Sequence, residues 1–126
     1  MARTVTTIDG YVLAVLQNGM GAWCGYIGLP DAHPWHGLGY DRLHVDVHGG
    51  LTYSESDPPG CALLQLSLAS GAGPPPSWWL GFDCAHAGDF IPGLGYGLLR
   101  GERVWTQEDT WAEAENMLAQ ARAATS

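Results

Sequence analysis

The amino-acid sequence predicts an α+β fold, with a mostly antiparallel sheet and one C-terminal amphipathic helix packed on it. Short apolar and β-branched runs are separated by turn residues, and 18 glycines and 8 prolines favour short elements joined by tight turns. Apolar and polar side chains alternate over residues 43–48, as in a half-buried strand, whereas apolar residues recur at helical spacing after residue 107. The 126 residues fit a single domain, 1–126, with an ordinary hydrophobic core.

The first segment, Thr4–Gln17, is rich in β-branched and apolar residues around the turn signal Asp9-Gly10. A hairpin and a strand leading into a short helix are both consistent with this pattern. Ala22–Leu29 is predicted to be a strand because of its aromatic and β-branched residues. Pro30–Tyr40, rich in proline, glycine and histidine, is predicted to be a loop.

The segment Arg42–Ser54 is predicted to be the strongest strand of the chain. Its apolar residues alternate strictly with ionisable ones, so one face should be apolar and the other polar. Gly49-Gly50 then predicts a bulge or bend before the strand continues. The alternating residues are Leu43, Val45 and Val47 on one face, and His44, Asp46 and His48 on the other.

The middle of the chain is punctuated by turns. Cys61–Leu68 is consistent with a strand or a short helix, and Gly71–Pro76 with an exposed, proline-stiffened connector. Ser77–His86 is predicted to be a second strong strand, followed by a glycine-rich loop over Ala87–Gly97.

A helix is predicted over Gln107–Arg122. Thr106 is a suitable N-cap, and Asp109, three residues later, can complete a capping box. An apolar stripe follows at helical spacing, so the helix should pack on one face of the sheet. The stripe consists of Trp111, Ala114, Leu118 and Ala121.

The charge balance narrows the classes of partner. The formal net charge is −8, and the chain has five arginines and no lysine. Proteins that bind duplex nucleic acid place cations along the phosphates, so we expect no such partner. A small phosphorylated ligand needs only one or two arginines and backbone N–H groups, and is compatible with this composition.

The sequence favours a cytoplasmic protein without a membrane partner. No positively charged leader precedes an apolar run at its start, and no apolar stretch approaches the ~20 residues of a membrane-spanning helix. The three cysteines lack CxxC spacing, which argues against a disulfide framework and against a zinc ribbon.

One group of candidate functional residues lies in the predicted strand Arg42–Ser54. On a strand, His44, Asp46 and His48 project from one face, and successive members of this set are about 6.6 Å apart along the strand. Two imidazoles with a carboxylate between them can hold a metal, for which zinc is the natural candidate. The same residues also fit the solvated face of a half-buried strand, or a pocket for a ligand without a metal.

A second group lies at the end of the predicted strand Ser77–His86. His86 and Asp89 are candidate ligand-binding residues, because glycine at position 88 lets a ligand approach the backbone closely. Cys84 shares a face with His86, but a free cysteine is more often a small buried apolar residue than a nucleophile.

Trp35 is the aromatic residue that is hardest to place in a core. It lies in the loop Pro30–Tyr40 beside His33 and His36, where an indole could stack on a planar ligand such as a nucleobase. The alternative is a loop lid packed over the edge of the sheet.

Four stretches resemble a family of small uncharacterised proteins of bacteriophages, prophages and some bacteria. They are WCGYIGLPDAHPWHG, VDVHGGLTYS, WWLGFDCAHAGDFIPG and WTQEDTWAEAENMLAQ, and together they span most of the chain from Trp23 to Gln120. The blocks VHGGLTYS and GFDCAHAGD are the most specific. The resemblance implies a phage or mobile-element context in an infected bacterial cell. By analogy, small phage proteins often act in counter-defence, for example by sequestering nucleotide immune signals.

Three functions are therefore consistent with the sequence. The first is a protein that binds a small nucleotide-like ligand without a cofactor, as a monomer or as a homo-oligomer. Its pocket would contain His48, Gly49, Gly50, Asp83, His86 and Asp89, with Trp35 as a stacking wall and Arg42 or Arg100 as a phosphate contact.

The second is a zinc-dependent hydrolase that uses either His44, Asp46 and His48, or His48 with Asp83 and His86. The third is an interaction module that inhibits a host protein. All site predictions assume that residues 43–53 and 78–89 form adjacent strands.

Overall fold

The computed structural model describes residues 5–17, 21–48, 50–56, 76–83 and 105–125. These residues form a five-stranded antiparallel sheet and one α-helix, so the predicted α+β fold is confirmed. The spatial order of the strands is β1-β2-β3-β5-β4. The elements are β1 (Val5–Ile8), β2 (Tyr11–Gln17), β3 (Trp23–Gly28), β4 (Tyr53–Glu55), β5 (Trp79–Asp83) and helix α1 (Gln107–Ala123).

The first two strands form a tight hairpin. Ile8 pairs with Tyr11 across a two-residue turn, in which Asp9 has φ 50° and Gly10 has φ 85°. Two positive φ angles are typical of a type I′ turn, whose twist matches that of the flanking strands. The hairpin alternative is thus confirmed, and the alternative of a strand leading into a helix is wrong.

Strands β3 and β5 pair in the centre of the sheet, and each places a glycine opposite an aromatic residue. Gly25 pairs with Phe82, and the next pair is Tyr26 with Gly81. A Cβ atom on Gly25 would lie 2.5 Å from the Phe82 ring, and one on Gly81 would collide with the Tyr26 ring. The two rings therefore lie against bare backbone, on opposite faces of the sheet.

Helix α1 begins as predicted. Thr106 Oγ1 accepts a hydrogen bond from Asp109 N–H, and the Asp109 carboxylate accepts one from Thr106 N–H, which completes the capping box. The predicted apolar stripe is buried against one face of the sheet, here called the helix-side face. The buried strand residues of the helix-side face are Tyr11, Leu13, Val15, Ile27, Leu80 and Phe82.

The other face of the sheet, here called the opposite face, is built from the alternate residues of the same strands. It includes Val12 and Ala14 of β2, Cys24 of β3 and Trp79 of β5, all of which are buried. Both faces therefore contribute to the interior of the domain, but only the helix-side face packs against α1.

The predicted strand Arg42–Ser54 requires a correction. Only Tyr53–Glu55 of this segment pairs in the described sheet, as β4 on β5, whereas residues 43–48 belong to none of its strands. The predicted alternation is nevertheless present, because Val47 is buried in the helix-side core while His44 and Asp46 are exposed. Alternation indicates an extended segment with one buried face, but it does not specify what satisfies the backbone hydrogen bonds.

A turn separates the two parts of this segment. Gly50 N–H donates to Val47 O at 2.9 Å, and Gly50 has φ 79°. The bend predicted at Gly49-Gly50 therefore falls where the chain leaves α1 and reaches the sheet edge, although Gly49 itself is outside the described residues.

The remaining predicted elements are described only in part. Ser77–His86 is a strand over Trp79–Asp83, and Pro30–Tyr40 is a loop of turns that leads into a 3₁₀ turn, Tyr40–Arg42. Cys61–Leu68, Ala87–Gly97 and residues 71–75 of the connector lie outside the described residues. In the part of the chain that the structure describes, no helix is long and apolar enough to cross a membrane.

Candidate functional site

The extended segment 43–48 is held by side chains of α1. The amide of Gln120 contacts both backbone groups of Asp46: its Oε1 accepts from Asp46 N–H at 2.8 Å, and its Nε2 donates to Asp46 O at 2.9 Å. Asn116 Nδ2 also donates to Asp46 O, at 2.9 Å. A side-chain amide thus takes the place of a neighbouring strand, which satisfies the backbone without a ladder.

This docking determines where the three predicted metal ligands lie. His48 N–H donates to Glu113 Oε2 of α1 at 3.2 Å, and the His48 ring lies 4.5 Å from that of Trp105. His44 and Asp46 are exposed. Over the described ranges, which include all three residues, no set of three His, Cys, Asp or Glu side chains is grouped closely enough to hold a metal ion.

Asp83, a predicted ligand residue at the end of β5, lies in a different environment. Leu80 and Phe82 belong to the helix-side core, so the alternation of β5 directs Asp83 to the opposite face. Asp83 pairs in register with Cys24, and its carboxylate accepts a hydrogen bond from Thr52 Oγ1 at 3.4 Å. The structure thus brings residues 52–55 and 79–83 together, beyond the turn that ends at Gly50.

Tyrosines complete the surroundings of Asp83. Tyr26 and Tyr53 both pair with Gly81, and their rings meet edge to face at 5.4 Å and 82°. Both tyrosines and Asp83 are half-buried, whereas Thr52 is exposed. We call this group, on the opposite face near β4, the Asp83 cluster; it consists of Cys24, Tyr26, Thr52, Tyr53 and Asp83.

The ionisable groups at the base of the Asp83 cluster favour their neutral forms. Burial raises the pKa of the Cys24 thiol to about 11; the hydrogen bond from Tyr26 opposes this rise, and the negative charge of Asp83 adds to it. Burial likewise raises the pKa of the Tyr26 phenol well above its usual range. Cys24 is therefore a thiol at neutral pH, and a thiol is a poor nucleophile.

Trp35 is packed rather than freely exposed. It is half-buried against the helix-side core, and its backbone N–H donates to Nδ1 of His33 at 3.0 Å. Because Nδ1 accepts, the other ring nitrogen of His33 carries the proton and donates to Ala121 O of α1 at 2.8 Å. His33 is buried and fastens the loop to the helix, a placement that fits the loop-lid interpretation of Trp35.

His36 lies beside a serine and an aspartate, but not in the order that nucleophilic catalysis needs. Ser77 Oγ donates to Asp31 Oδ1 at 2.9 Å, so the 2.8 Å contact of His36 Nε2 with Ser77 Oγ has the imidazole as donor. In a Ser–His–Asp triad the imidazole accepts the serine proton, and the carboxylate contacts its other nitrogen. Here the three side chains join the loop to the start of β5.

Arg42 and the exposed Tyr40 lie beside the edge strand β4. Tyr40 N–H donates to Ser54 Oγ at 3.2 Å, which anchors the 3₁₀ turn to β4. Tyr40 is 49% exposed and Arg42 is also exposed, so this turn presents an aromatic ring and a guanidinium to solvent.

The predicted ligand residues Gly49, His86 and Asp89 lie outside the described residues, as do Cys84 and Arg100. Of the Asp83 cluster, only Asp83 is predicted as a site residue by the sequence. The other members come together through strand register, for which a single sequence has no local signal.

Comparison with known protein families, with curated proteins and with solved structures finds no match to this chain. The chemistry of the Asp83 cluster itself indicates what it can bind. A half-buried carboxylate accepts hydrogen bonds from N–H donors or pairs with a cation, and tyrosine rings beside it provide apolar contact for a planar group.

Proposed function

We propose that this protein binds a small nucleotide-like ligand at the Asp83 cluster and holds it without transforming it. The observation that carries the proposal is the half-buried Asp83 carboxylate, placed beside Thr52 and the paired rings of Tyr26 and Tyr53. Small-ligand sites typically combine apolar and aromatic walls with a few convergent polar groups.

The charge pattern indicates which part of the ligand this cluster would recognise. Asp83 is an acceptor for ring N–H and amino groups, which a nucleobase offers at its edge. The net charge of −8 disfavours a polyphosphate, so recognition would rest mainly on the base. Arg42, the predicted phosphate contact, lies on a turn that is anchored through Ser54, which pairs with Leu80 of the helix-side face; the proposed site therefore rests on the Asp83 cluster itself.

Binding is favoured over catalysis by the state of the candidate nucleophiles and bases that the structure describes. The Cys24 thiol is protonated at neutral pH because burial raises its pKa to about 11. Both ring nitrogens of His33 are already hydrogen-bonded, and the Ser77 hydroxyl donates to Asp31 instead of to an imidazole. The resemblance to phage proteins gives such binding a biological role, namely sequestration of a nucleotide immune signal in the infected cell.

Isothermal titration calorimetry against cyclic nucleotides and ADP-ribose-derived nucleotides tests the proposal. We expect at least one of them to bind, and Asp83→Asn to weaken that binding about tenfold or more, since an amide presents donors where the ligand needs an acceptor. Asp46→Asn is the matched control, because Asp46 is an exposed carboxylate held on α1 through its backbone.

Two results would contradict the proposal. One is the absence of heat with every nucleotide of the panel. The other is an equal loss of affinity in Asp83→Asn and Asp46→Asn, which would show that general charge, and not the Asp83 cluster, governs binding.

A further inference from the structure

Strand β1 forms one edge of the sheet, and its outward backbone groups are arranged regularly. Ile8 and Tyr11 flank a two-residue type I′ turn, so they exchange backbone hydrogen bonds, and so does the next such pair, Thr6 with Leu13. The N–H and C=O groups of Val5 and Thr7 therefore point away from β2. Within the described ranges, no strand pairs with this side of β1.

The edge at β1 lacks two common protections against pairing, charged residues and proline. Its four residues are Val5, two threonines and Ile8. The edge at β4 is different: it includes Glu55 and is contacted by Tyr40 through Ser54. The contrast identifies β1 as the edge that is suited to accept another strand.

We propose that β1 pairs antiparallel with β1 of a second copy of this chain, so that two sheets join into one continuous sheet. A twofold axis at Thr6 brings Val5 opposite Thr7 of the second copy, and Thr7 opposite Val5 of that copy. This register uses all four outward N–H and C=O pairs of the two strands, which gives four hydrogen bonds. Registers shifted to centre on Val5 or on Thr7 use fewer of these groups.

Side chains and charges fit the same register. Thr6 meets Thr6 of the second copy at the axis, and a threonine pair is favourable across antiparallel strands. Asp9 at the hairpin turn is already neutralised by Arg122 of its own chain at 2.8 Å. The hairpin turn therefore brings no unpaired carboxylate to the paired strands.

Sedimentation equilibrium of the full chain, over about a hundredfold range of concentration at physiological salt, tests this inference. We expect a reversible monomer–dimer equilibrium. Thr7→Pro removes an outward N–H from each copy, and so two of the four hydrogen bonds, and should weaken the dimer about tenfold or more. Thr7→Val keeps the N–H and the β-branched shape, and should dimerise like the wild type.

Circular dichroism and thermal unfolding of dilute Thr7→Pro check that the monomer remains folded, which we expect because Thr7 N–H makes no bond to β2. If that variant is unfolded, hydrogen exchange of the wild type provides the test. The amides of Val5 and Thr7 should then become protected as concentration rises, while that of Thr6 stays protected throughout. A wild type that is monomeric at every concentration, a dimer that Thr7→Pro leaves unchanged, or concentration-independent exchange would overturn the inference.

Discussion

On both faces of the central β3–β5 pair an aromatic ring packs over a glycine, but the surroundings of the two rings differ. On the helix-side face the ring of Phe82 covers Gly25, and on the opposite face the ring of Tyr26 covers Gly81. Phe82 is buried among apolar residues under α1, whereas Tyr26 is half-buried beside Cys24 and Asp83.

The helix-side face therefore contributes mainly to stability, whereas the opposite face carries the ionisable groups. The helix-side face buries apolar area, which stabilises the fold by about 25 cal/mol per Å². The opposite face near β4 keeps a carboxylate and phenols together at the cost of less complete burial. Substitutions on the helix-side face should therefore lower the free energy of unfolding more than equivalent substitutions on the opposite face.

The largest expected effect is that of Phe82→Ala, which leaves a cavity in the helix-side core and should lower the free energy of unfolding by about 3–5 kcal/mol. Tyr26→Ala should cost clearly less, because Tyr26 is half-buried. Urea unfolding of both variants at neutral pH measures the difference. An equal or larger loss for Tyr26→Ala would abolish the distinction between the faces.

The glycines should follow the same order. Gly25→Ala places a methyl group 2.5 Å from the Phe82 ring, which is fully buried and has no room to move, so we expect a loss of about 3 kcal/mol. Gly81→Ala meets the half-buried ring of Tyr26, which can turn towards solvent, and approaches Gly25 O at 3.1 Å, so it should cost less than Gly25→Ala. Thermal unfolding of the two variants would contradict us if Gly81→Ala were the more damaging.

Alkaline pH should act on the opposite face. The pKa of Cys24 is about 11 in the folded protein and 9.0 in its ordinary state, so folding favours the protonated thiol. This stabilisation is complete below pH 9 and is lost as the pH rises through 11, on the order of 2 kcal/mol. Cys24→Ala should lose correspondingly less stability between pH 8.5 and pH 11 in urea unfolding. Identical pH profiles for the two proteins would refute the assignment.

The smallest expected effect links two members of the Asp83 cluster. The charge of Asp83 contributes to the raised pKa of Cys24, but less than burial does. Asp83→Asn should therefore move the pH profile of Cys24 alkylation slightly towards lower pH, because a nearby negative charge no longer opposes the thiolate. Mass spectrometry of the Cys24 peptide follows the rate, and Asp46→Asn should leave it unchanged. A shift towards higher pH would contradict the proximity of Cys24 and Asp83.

The elements that could be predicted from sequence are those specified by local chemistry. Asp9-Gly10 can adopt the two positive φ angles of a hairpin turn, and Thr106 with Asp109 caps α1 through contacts within one helical turn. The buried residues of α1 also follow directly from helical spacing. Each of these signals lies within a few residues of the structure that it predicts.

The strand prediction for Arg42–Ser54 failed because hydrogen-bond partners are not local. Asp46 is satisfied by Gln120, which is 74 positions away in the sequence. Asp83 could be proposed from sequence alone, since it sits near the end of a strong strand. Its neighbours Cys24 and Thr52 could not, because the register of β3, β4 and β5 brings them there.

The ties between α1 and the first half of the chain have a kinetic consequence. His33 bonds to Ala121 O across 88 positions, and Asp9 pairs with Arg122 across 113. Closing such long loops costs entropy before any contact compensates for it, and folding rates fall as the separation of contacting residues grows. The hairpin and the capped helix can each form early and locally, so their encounter should be the slow event in refolding.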